Sequence, residues 1–271
     1  MRADLHSHTL YSDGALSVED LIQRAKSKGL DIIAITDHDT LVGSKYACEV
    51  AEDYDMTAIY GMELSTERNN ESIHILCYFS KPNLGEGLFT KLEKQRLDRK
   101  TRALEVAKLL KIHFNLDLDT KFIEEKHSIT RGTIANEIIR QGLAKDKKEV
   151  FSKMIGDDCP AFIPSTKLTT EEGIKLIKEN NGLCVLAHPC LYKKNDIEDL
   201  IKLGVDGIEV VYPSVENREQ KYRDLAKKYN LIVTGGSDFH SINDYKHGDV
   251  GDCYIKDEDL RKFLRVLENE H

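Results

Sequence analysis

No apolar run in this chain approaches the ~20 residues that a helix needs to span a bilayer, so the reading starts from a globular protein and not a helical membrane protein. Positive charge is also short. Lys and Arg total 39 against 47 Asp and Glu, a net charge of −8. That balance weighs against tight, non-specific binding of long nucleic acid, although it leaves room for a local basic pocket. The six cysteines, at 48, 77, 159, 184, 190 and 253, form no CxxC pair. Most lie in apolar stretches, which points to buried free thiols over disulfides or a zinc ribbon. There is no internal repeat and no low-complexity tract. Met1-Arg2-Ala3-Asp4 leads directly into a predicted strand with no signal-peptide pattern, so the cytoplasm is the expected compartment. What remains is a 271-residue chain, 40% hydrophobic and 32% charged. It is long enough for one large domain or for one domain carrying an insertion.

Helical and extended patterns alternate along the first third. Ser17 is a predicted N-cap, Val18, Leu21, Ile22 and Ala25 form an apolar stripe, and Gly29 ends it. Asp31 to Ile35 reads as a short buried strand running into Thr36-Asp37-His38-Asp39. A helix with Ala47, Val50, Ala51 and Tyr54 follows. A strand from Thr57 to Tyr60 then opens into Gly61-Met62-Glu63-Leu64, and another from Ile73 to Phe79 contains His74. Alternation at this spacing predicts parallel β/α units. From about Leu84 the rhythm breaks. Residues 86–112 read as one long charged helix and 132–155 as two shorter ones. A helical insertion is therefore expected over 84–164, bounded by Lys81-Pro82-Asn83 and by Pro160 and Pro164. The β/α alternation resumes after Thr169. Predicted strands end in His188-Pro189, contain Glu209, and end in Gly235-Gly236-Ser237-Asp238-Phe239-His240.

The chemistry-bearing residues recur where predicted strands end. His6 and His8 alternate in an extended segment and so face one point. Asp13, His38, Glu63, His188, Asp238 and His240 occupy equivalent strand-end positions, with His74 within a strand. In a parallel barrel that is the end at which active sites lie. Six of the ten histidines fall in these places. Imidazole with carboxylate suits manganese, iron or zinc, and nine candidate ligands are too many for one catalytic zinc. Two or three divalent ions sharing a carboxylate is the economical expectation. A purely structural role for all nine is unlike what buried charges tolerate. Asp37, Asp39 and Glu209 are expected to orient histidines from behind, with a paired buried carboxylate as the other reading of Glu209. His113, His127, His247 and His271 are expected on the surface.

Four segments carry a resemblance: His6-Ser7-His8-Thr9, Thr36-Asp37-His38-Asp39, Ala187-His188-Pro189 and Gly236-Ser237-Asp238-Phe239-His240. Together they resemble the PHP family, named for polymerase and histidinol phosphatase domains. The resemblance implies an α/β fold, a distorted (β/α)7 TIM-like barrel over residues 1–83 and 165–271, with 84–164 as a helical cap. It also implies three clusters. His6, His8, Glu63 and Asp238 would hold one ion; Glu63, His74 and His188 a second; Asp13, His38 and His240 a third. A hydroxide shared between ions would attack the phosphorus. Ile129-Thr130-Arg131 and Pro160-Ala161-Phe162-Ile163-Pro164 are similar to cap motifs of the branch acting on nucleoside 3′,5′-bisphosphates and on 5′ ends of short RNA. Related sequences often carry a histidine where this chain has Thr133.

The expected activity is therefore a metal-dependent phosphoesterase releasing a terminal phosphate from a small nucleotide, a 3′,5′-bisphosphate favoured. Stepwise 5′-3′ cleavage of short 5′-phosphorylated RNA and hydrolysis of histidinol phosphate are the rivals. An amidohydrolase is a competing class, since a strand-borne His-x-His opens those barrels too. Against it, no lysine ends a predicted barrel strand as a bridging ligand. A catalytically silent metal-binding or interaction module is a third class, disfavoured by the full ligand set. Arg131, just ahead of a predicted helix at Gly132–Arg140, is expected to bind a phosphate by two parallel hydrogen bonds. Arg96, Arg99, Lys100 and Arg102 lie on a charge-rich helix whose face would ordinarily be solvated. Arg99 and Arg102 are the cations there that would meet a phosphate. No membrane and no obligate protein partner is implied.

Overall fold

Strand β1 (Arg2–Asp4) lies parallel to β2 (Ile32–Ile35), which is buried along its whole length. Between them, α1 (Val18–Ser27) is capped as its sequence predicts. The Ser17 side chain accepts the Asp20 backbone N–H, the predicted apolar stripe is buried, and Gly29 at φ +75° turns the chain out. In this computed structural model residues 1–80, 86–164, 167–242, 244 and 246–269 are described. The expected boundary at Lys81-Pro82-Asn83 and the residue His271 lie outside them.

After α2 (Val42–Val50), β3 (Thr57–Arg68) pairs parallel with β2. The expectation of parallel units then fails. Instead of ending near Tyr60, β3 runs on to Arg68 and turns back as β4 (Glu71–Phe79), antiparallel from Arg68↔Glu71 to Tyr60↔Phe79. The reason is the turn. Asn69 and Asn70 sit at φ 51° and 55°, the pair of left-handed residues that a two-residue hairpin of this hand requires. β4 is also antiparallel to β6 (Leu183–Leu186), beyond the two-residue β5 (Leu168–Thr169) that pairs with β3. Parallel pairing resumes through β7 (Gly207–Val211) and β8 (Ile232–Gly235), and β9 (Ile255–Lys256) pairs antiparallel with β1.

The sheet order β8-β7-β6-β4-β3-β2-β1-β9 curls into a nearly closed barrel. Beyond β1 and β8 the chain ends are tied directly: Leu5 N–H donates to Gly235 O at 3.1 Å, Asp238 N–H to His6 O at 2.8 Å and His8 N–H to Phe239 O at 2.9 Å. Helices α7 (Thr170–Lys178), α8 (Ile197–Ile201), α9 (Glu219–Tyr229) and α10 (Asp257–Asn269) follow the later strands. One apolar cluster joins Ala3, Ala34, Leu76, Val185 and Ile232 of the strands to Leu260 and Phe263 of α10. Buried Tyr78 lies within it and donates its hydroxyl to Leu5 O at 2.7 Å.

Residues 86–164 form helices only: α3 (Glu86–Phe114), α4 (Phe122–Glu125), α5 (Arg131–Arg140) and α6 (Lys147–Lys153). They bury an apolar cluster of their own, with Val106, Leu110, Phe122, Ile134, Ile138 and Val150. Among the described residues no helix is long and apolar enough to cross a membrane. All six cysteines are free, and Cys48 is exposed, contrary to the expectation of burial.

The seam between β1 and β8 is braced from behind. Asp4 accepts backbone N–H groups of Ser237 (3.0 Å) and Gly251 (2.9 Å). Two residues before Gly251, Asp249 accepts a two-pronged bond from Arg24, at 2.7 and 2.6 Å, and a bond from Lys28. The Arg24 bonds lower the Asp249 carboxyl to about 2. Its folded pKa is thus below its unfolded value of about 3.9. The resulting stability is complete above that value and disappears as pH falls through about 2. Asp249→Asn is therefore expected to cost about 1 kcal/mol at pH 7 after allowance for partial exposure. In urea unfolding the difference from wild type should shrink below pH 4, and a constant difference would contradict this origin.

Candidate metal centre

Every strand that contributes to the site does so with its backbone held by a neighbour. His6 and His8 extend β1 and are kept in line by the β8 seam. The parallel bridge His38↔Glu63 places His38, three residues past the end of β2, beside Glu63 of β3. Glu63 itself has its N–H bonded to Thr36 O at 3.0 Å. Three residues at the site adopt positive φ without being glycine: Asp39 at 52°, His188 at 26° and Asp238 at 50°. Such backbone is costly and persists only where the surroundings over-determine it.

Glu63 is the hub. It is 1% exposed. Its Oε2 lies 3.4 Å from His6 Nε2, 3.3 Å from His8 Nε2 and 3.1 Å from His38 Nδ1. Its Oε1 lies 2.8 Å from His74 Nδ1 and 3.0 Å from His188 Nε2. Asp238 Oδ1 is 3.2 Å from His6 Nε2 and 3.1 Å from His8 Nε2. Asp13 Oδ1 is 3.3 Å from His240 Nε2, while its Oδ2 is 3.9 Å from His38 Nε2. All nine candidate ligands are thus brought together.

Their grouping differs in detail from the expected clusters. His6, His8, Glu63 and Asp238 converge as one group. The group at Asp13, His38 and His240 also takes in His8, and the group at Glu63 and His74 takes in His38. His188 reaches Glu63 but stands outside that last group among the described residues.

The donor set fits divalent cations. His6 Nε2, His38 Nδ1 and Asp13 Oδ1 are buried without hydrogen-bond partners among the described residues. Leaving such atoms unmade costs about 1–3 kcal/mol each, whereas as ligand atoms they would be satisfied. The electrostatics agree. Burial alone would push the Glu63 carboxyl up, yet His38, His74 and His6 hold it well below the carboxylate range. Asp13 and Asp238 are likewise driven down against burial by their histidines. His8, despite burial, is pushed up to about 10 by Asp238 and Glu63. His38 goes the other way, lowered by burial and by the neighbouring His8 and His74. The cluster is a buried sink for positive charge.

The supporting residues correct several expectations. Glu209 does hold histidines: Oε1 is 3.0 Å from His6 Nδ1, and Oε2 accepts the His188 N–H at 2.7 Å. Asp37 does not. It accepts from Thr9 N, Thr9 Oγ1 and Ser12 Oγ at 2.8, 2.6 and 2.5 Å, so it shapes the loop leading to Asp13. Asp39 faces the helical segment, accepting from Ser65 N at 2.7 Å and from the Arg99 guanidinium. That bond, with others to Ser65 Oγ and Ile129 O, occupies Arg99 as a strut instead of a free phosphate ligand. Arg99 and Arg102 are not solvated, at 7% and 8% exposed, whereas Arg96 and Lys100 are half-buried and pair with Glu93 and Glu124. Arg131 pairs with Asp157 at 2.6 Å and stands over the Phe162 ring at 5.6 Å. His247 is not a plain surface residue: its ring stacks on His240 at 4.3 Å, its Nδ1 is 3.1 Å from Asp244 Oδ2 and its Nε2 is 3.7 Å from Asp238 Oδ2. His113 and His127 are exposed as expected.

Residues not foreseen complete the support. Tyr212 donates its hydroxyl to Asp238 Oδ2 at 2.9 Å; its place directly after a buried strand was the available signal. Thr130 donates to Asp13 Oδ2 at 2.7 Å while capping α5. Thr133, at the position where related sequences often have histidine, completes that capping box.

A profile of the PHP domain matches residues 4–131. The 5′-3′ exoribonuclease Rnm of Escherichia coli is 31% identical over 251 residues, covering 88% of this chain and 84% of that one. The chain belongs to the PHP domain family. This PHP domain is accordingly that of a metal-dependent phosphoesterase. A 3′,5′-nucleoside bisphosphate phosphatase of Chromobacterium violaceum is 28% identical over 277 residues, covering 98% of this chain and 95% of its own. A putative metal-dependent phosphoesterase of Bifidobacterium adolescentis has a structure that superposes with a TM-score of 0.86 at 26% identity. That match covers 97% of this PHP chain and 96% of the other.

Two to three ions per chain are the expected elemental content of gently purified protein. A value at or below one after reconstitution with manganese, iron or zinc would remove the multinuclear assignment. Glu63→Gln should lower the content by more than one ion, because Glu63 touches two groups. Asp13→Ala should lose one at most, with the His6–His8 group retained.

Proposed function

We propose that this enzyme hydrolyses a terminal phosphate of a small nucleotide, preferably one that carries a second phosphate. One observation carries the reading. The cavity of about 410 Å³ over the centre is lined by Asp13, His38, His74 and His188 on one wall and by Arg102 and Arg131 on the other. With divalent ions held by the histidine–carboxylate wall, a ligand anionic at both ends would match both walls, and the volume suits a small molecule and not a duplex.

Bound divalent ions would supply an activated water and neutralise the charge on the phosphoryl oxygens. His6, His8, Glu63 and Asp238 are suited to hold one ion, Glu63, His74 and His38 or His188 a second, and Asp13, His38 and His240 a third. Glu209 keeps His6 presenting Nε2 to the centre by engaging Nδ1. Tyr212 keeps the Oδ1 edge of Asp238 turned inward by engaging Oδ2. Arg131, on the first turn of α5 and paired with Asp157, would exchange that carboxylate for a substrate phosphate. The helical segment forms the outer wall and thereby selects the remainder of the substrate.

Short 5′-phosphorylated RNA remains the second reading, favoured by a further open groove of about 590 Å³ beyond the cavity. Histidinol phosphate has a single phosphate and would leave the cationic wall unmatched. Competition among adenosine 3′,5′-bisphosphate, AMP, histidinol phosphate and 5′-phosphorylated oligomers of increasing length decides between them. The bisphosphate is expected to have the highest kcat/KM. A steady rise with oligomer length would establish exonuclease action in its place, and preference for histidinol phosphate would defeat both. Arg131→Ala should reduce kcat/KM by about tenfold or more, the scale of one charge-assisted contact, with metal content unchanged. Wild-type kinetics in that variant would leave Arg131 as the partner of Asp157 alone.

A further inference from the structure

His247 stands against the centre but is not one of its nine candidate ligands. Asp238, His240 and His247 each bring a ligand atom to within 4.8 Å of the others, a converging group beside those already described. It shares Asp238 with the His6–His8 group and His240 with the Asp13–His38 group. His240 Nδ1 is taken by the Asp238 backbone carbonyl at 2.8 Å, which leaves Nε2 as its one nitrogen for an ion. His240 can therefore serve the inner group or this outer one, but not both at once.

The outer group has the geometry of a cation site. His247 Nδ1 lies 3.1 Å from Asp244 Oδ2. A carboxylate can only accept, so in the neutral ring the hydrogen sits on Nδ1 and the Nε2 lone pair is free. A carboxylate behind one ring nitrogen is the support that metal-binding histidines ordinarily have. His247 Nε2 lies 3.7 Å from Asp238 Oδ2, too far for a hydrogen bond. Two atoms bound to one ion at ~2.1 Å are expected about 3.5 Å apart. Asp238 Oδ2 has a second lone pair to offer, since the Tyr212 hydroxyl takes only one. The His240 and His247 ring centroids are 4.3 Å apart, and two imidazoles at right angles on one ion would stand about 4.5 Å apart. The chain holds this placement, because Gly248 N–H donates to Ser237 O at 2.9 Å, next to Asp238.

Two further observations give the group a direction. The His247 side chain is 20% exposed, against 8–10% for Asp13, His38 and His240. Among the described residues, Asp238, His240 and His247 do not line the substrate cavity, where Arg102, Arg131 and Lys167 would oppose an incoming cation. On the His247 side an ion meets the carboxylates of Asp238 and Asp244, with Lys147 the cation that acts on Asp244. We propose that Asp238, His240 and His247 form an entry position through which the outermost divalent cation reaches and leaves the centre. The ion keeps His240 as a ligand while His247 and Asp238 give way to Asp13 and His38. His247 thus binds the ion in passage and not in the loaded centre. The inference rests on the metal centre described above and not on the substrate assigned to it.

Cobalt(II) added to the metal-free protein is the probe, with loading followed by its visible absorption and final content by elemental analysis. His247→Phe keeps a ring to stack on His240 but offers no ligand atom. His247→Asp offers a ligand atom but no ring, and Asp244→Ala removes the support behind Nδ1. His247→Phe is expected to load its last equivalent on the order of tenfold more slowly than wild type. Release of that ion to a chelator should slow by a similar factor, with the final content unchanged. His247→Asp should recover most of the wild-type rate, and Asp244→Ala should slow loading in the same direction as His247→Phe. Wild-type rates in both His247→Phe and Asp244→Ala would overturn the entry position. A lower final content in His247→Phe would also overturn it, by making His247 a resident ligand or a brace for His240. If wild type itself takes up no more than one cobalt, the multinuclear centre fails and the entry position with it.

Discussion

The structure depends on keeping one buried carboxylate charged. Glu63 lies inside the barrel mouth, where desolvation strongly opposes ionisation, and it stays ionised because imidazoles crowd it from five positions of the chain. Removing water from that many polar groups makes sense only if cations complete the arrangement. The surrounding features follow from this constraint. Backbone is held at positive φ to aim Asp238 and His188, Glu209 is fully buried to engage His6, and Tyr212 occupies the outer edge of Asp238.

Much of this was legible in the residues, for physical reasons. Short apolar runs that end in histidine or aspartate can be read because burial and polarity change abruptly at a strand end; most of the nine candidate ligands were picked in this way, and the structure brings all nine together. Helices capped by Ser17 or carrying an apolar stripe were equally plain. The antiparallel β3–β4 hairpin was missed because its inward residues are apolar on both sides of Glu63, so the run resembled a parallel strand and its loop. Asn69-Asn70 was the overlooked signal.

Side-chain partnerships across distant segments were the least legible. Nothing local tells that Asp39 is taken by Arg99, 60 residues away, or that His247 packs on His240. Arg99 shows the reverse error. It was read as a phosphate contact on a charge-rich helix, but its charge is spent on binding the helical segment to the barrel. That bond and the Thr130–Asp13 bond join the helical segment to the metal-facing loops.

The seam between β1 and β8 has a consequence for how the protein comes into being. His8 and Asp238, which face each other across that seam, are 230 positions apart. On a ribosome, the first histidines emerge long before their aspartate partner exists. Contacts of such separation form late, because the intervening loop must first be closed. A nascent chain therefore has the helical segment and most of the sheet available to fold before the centre can assemble. Premature capture of metal by half of the ligand set would involve His6 and His8 without Asp238. The full ligand set of the centre thus cannot come together until Asp238 and His240 have been synthesised.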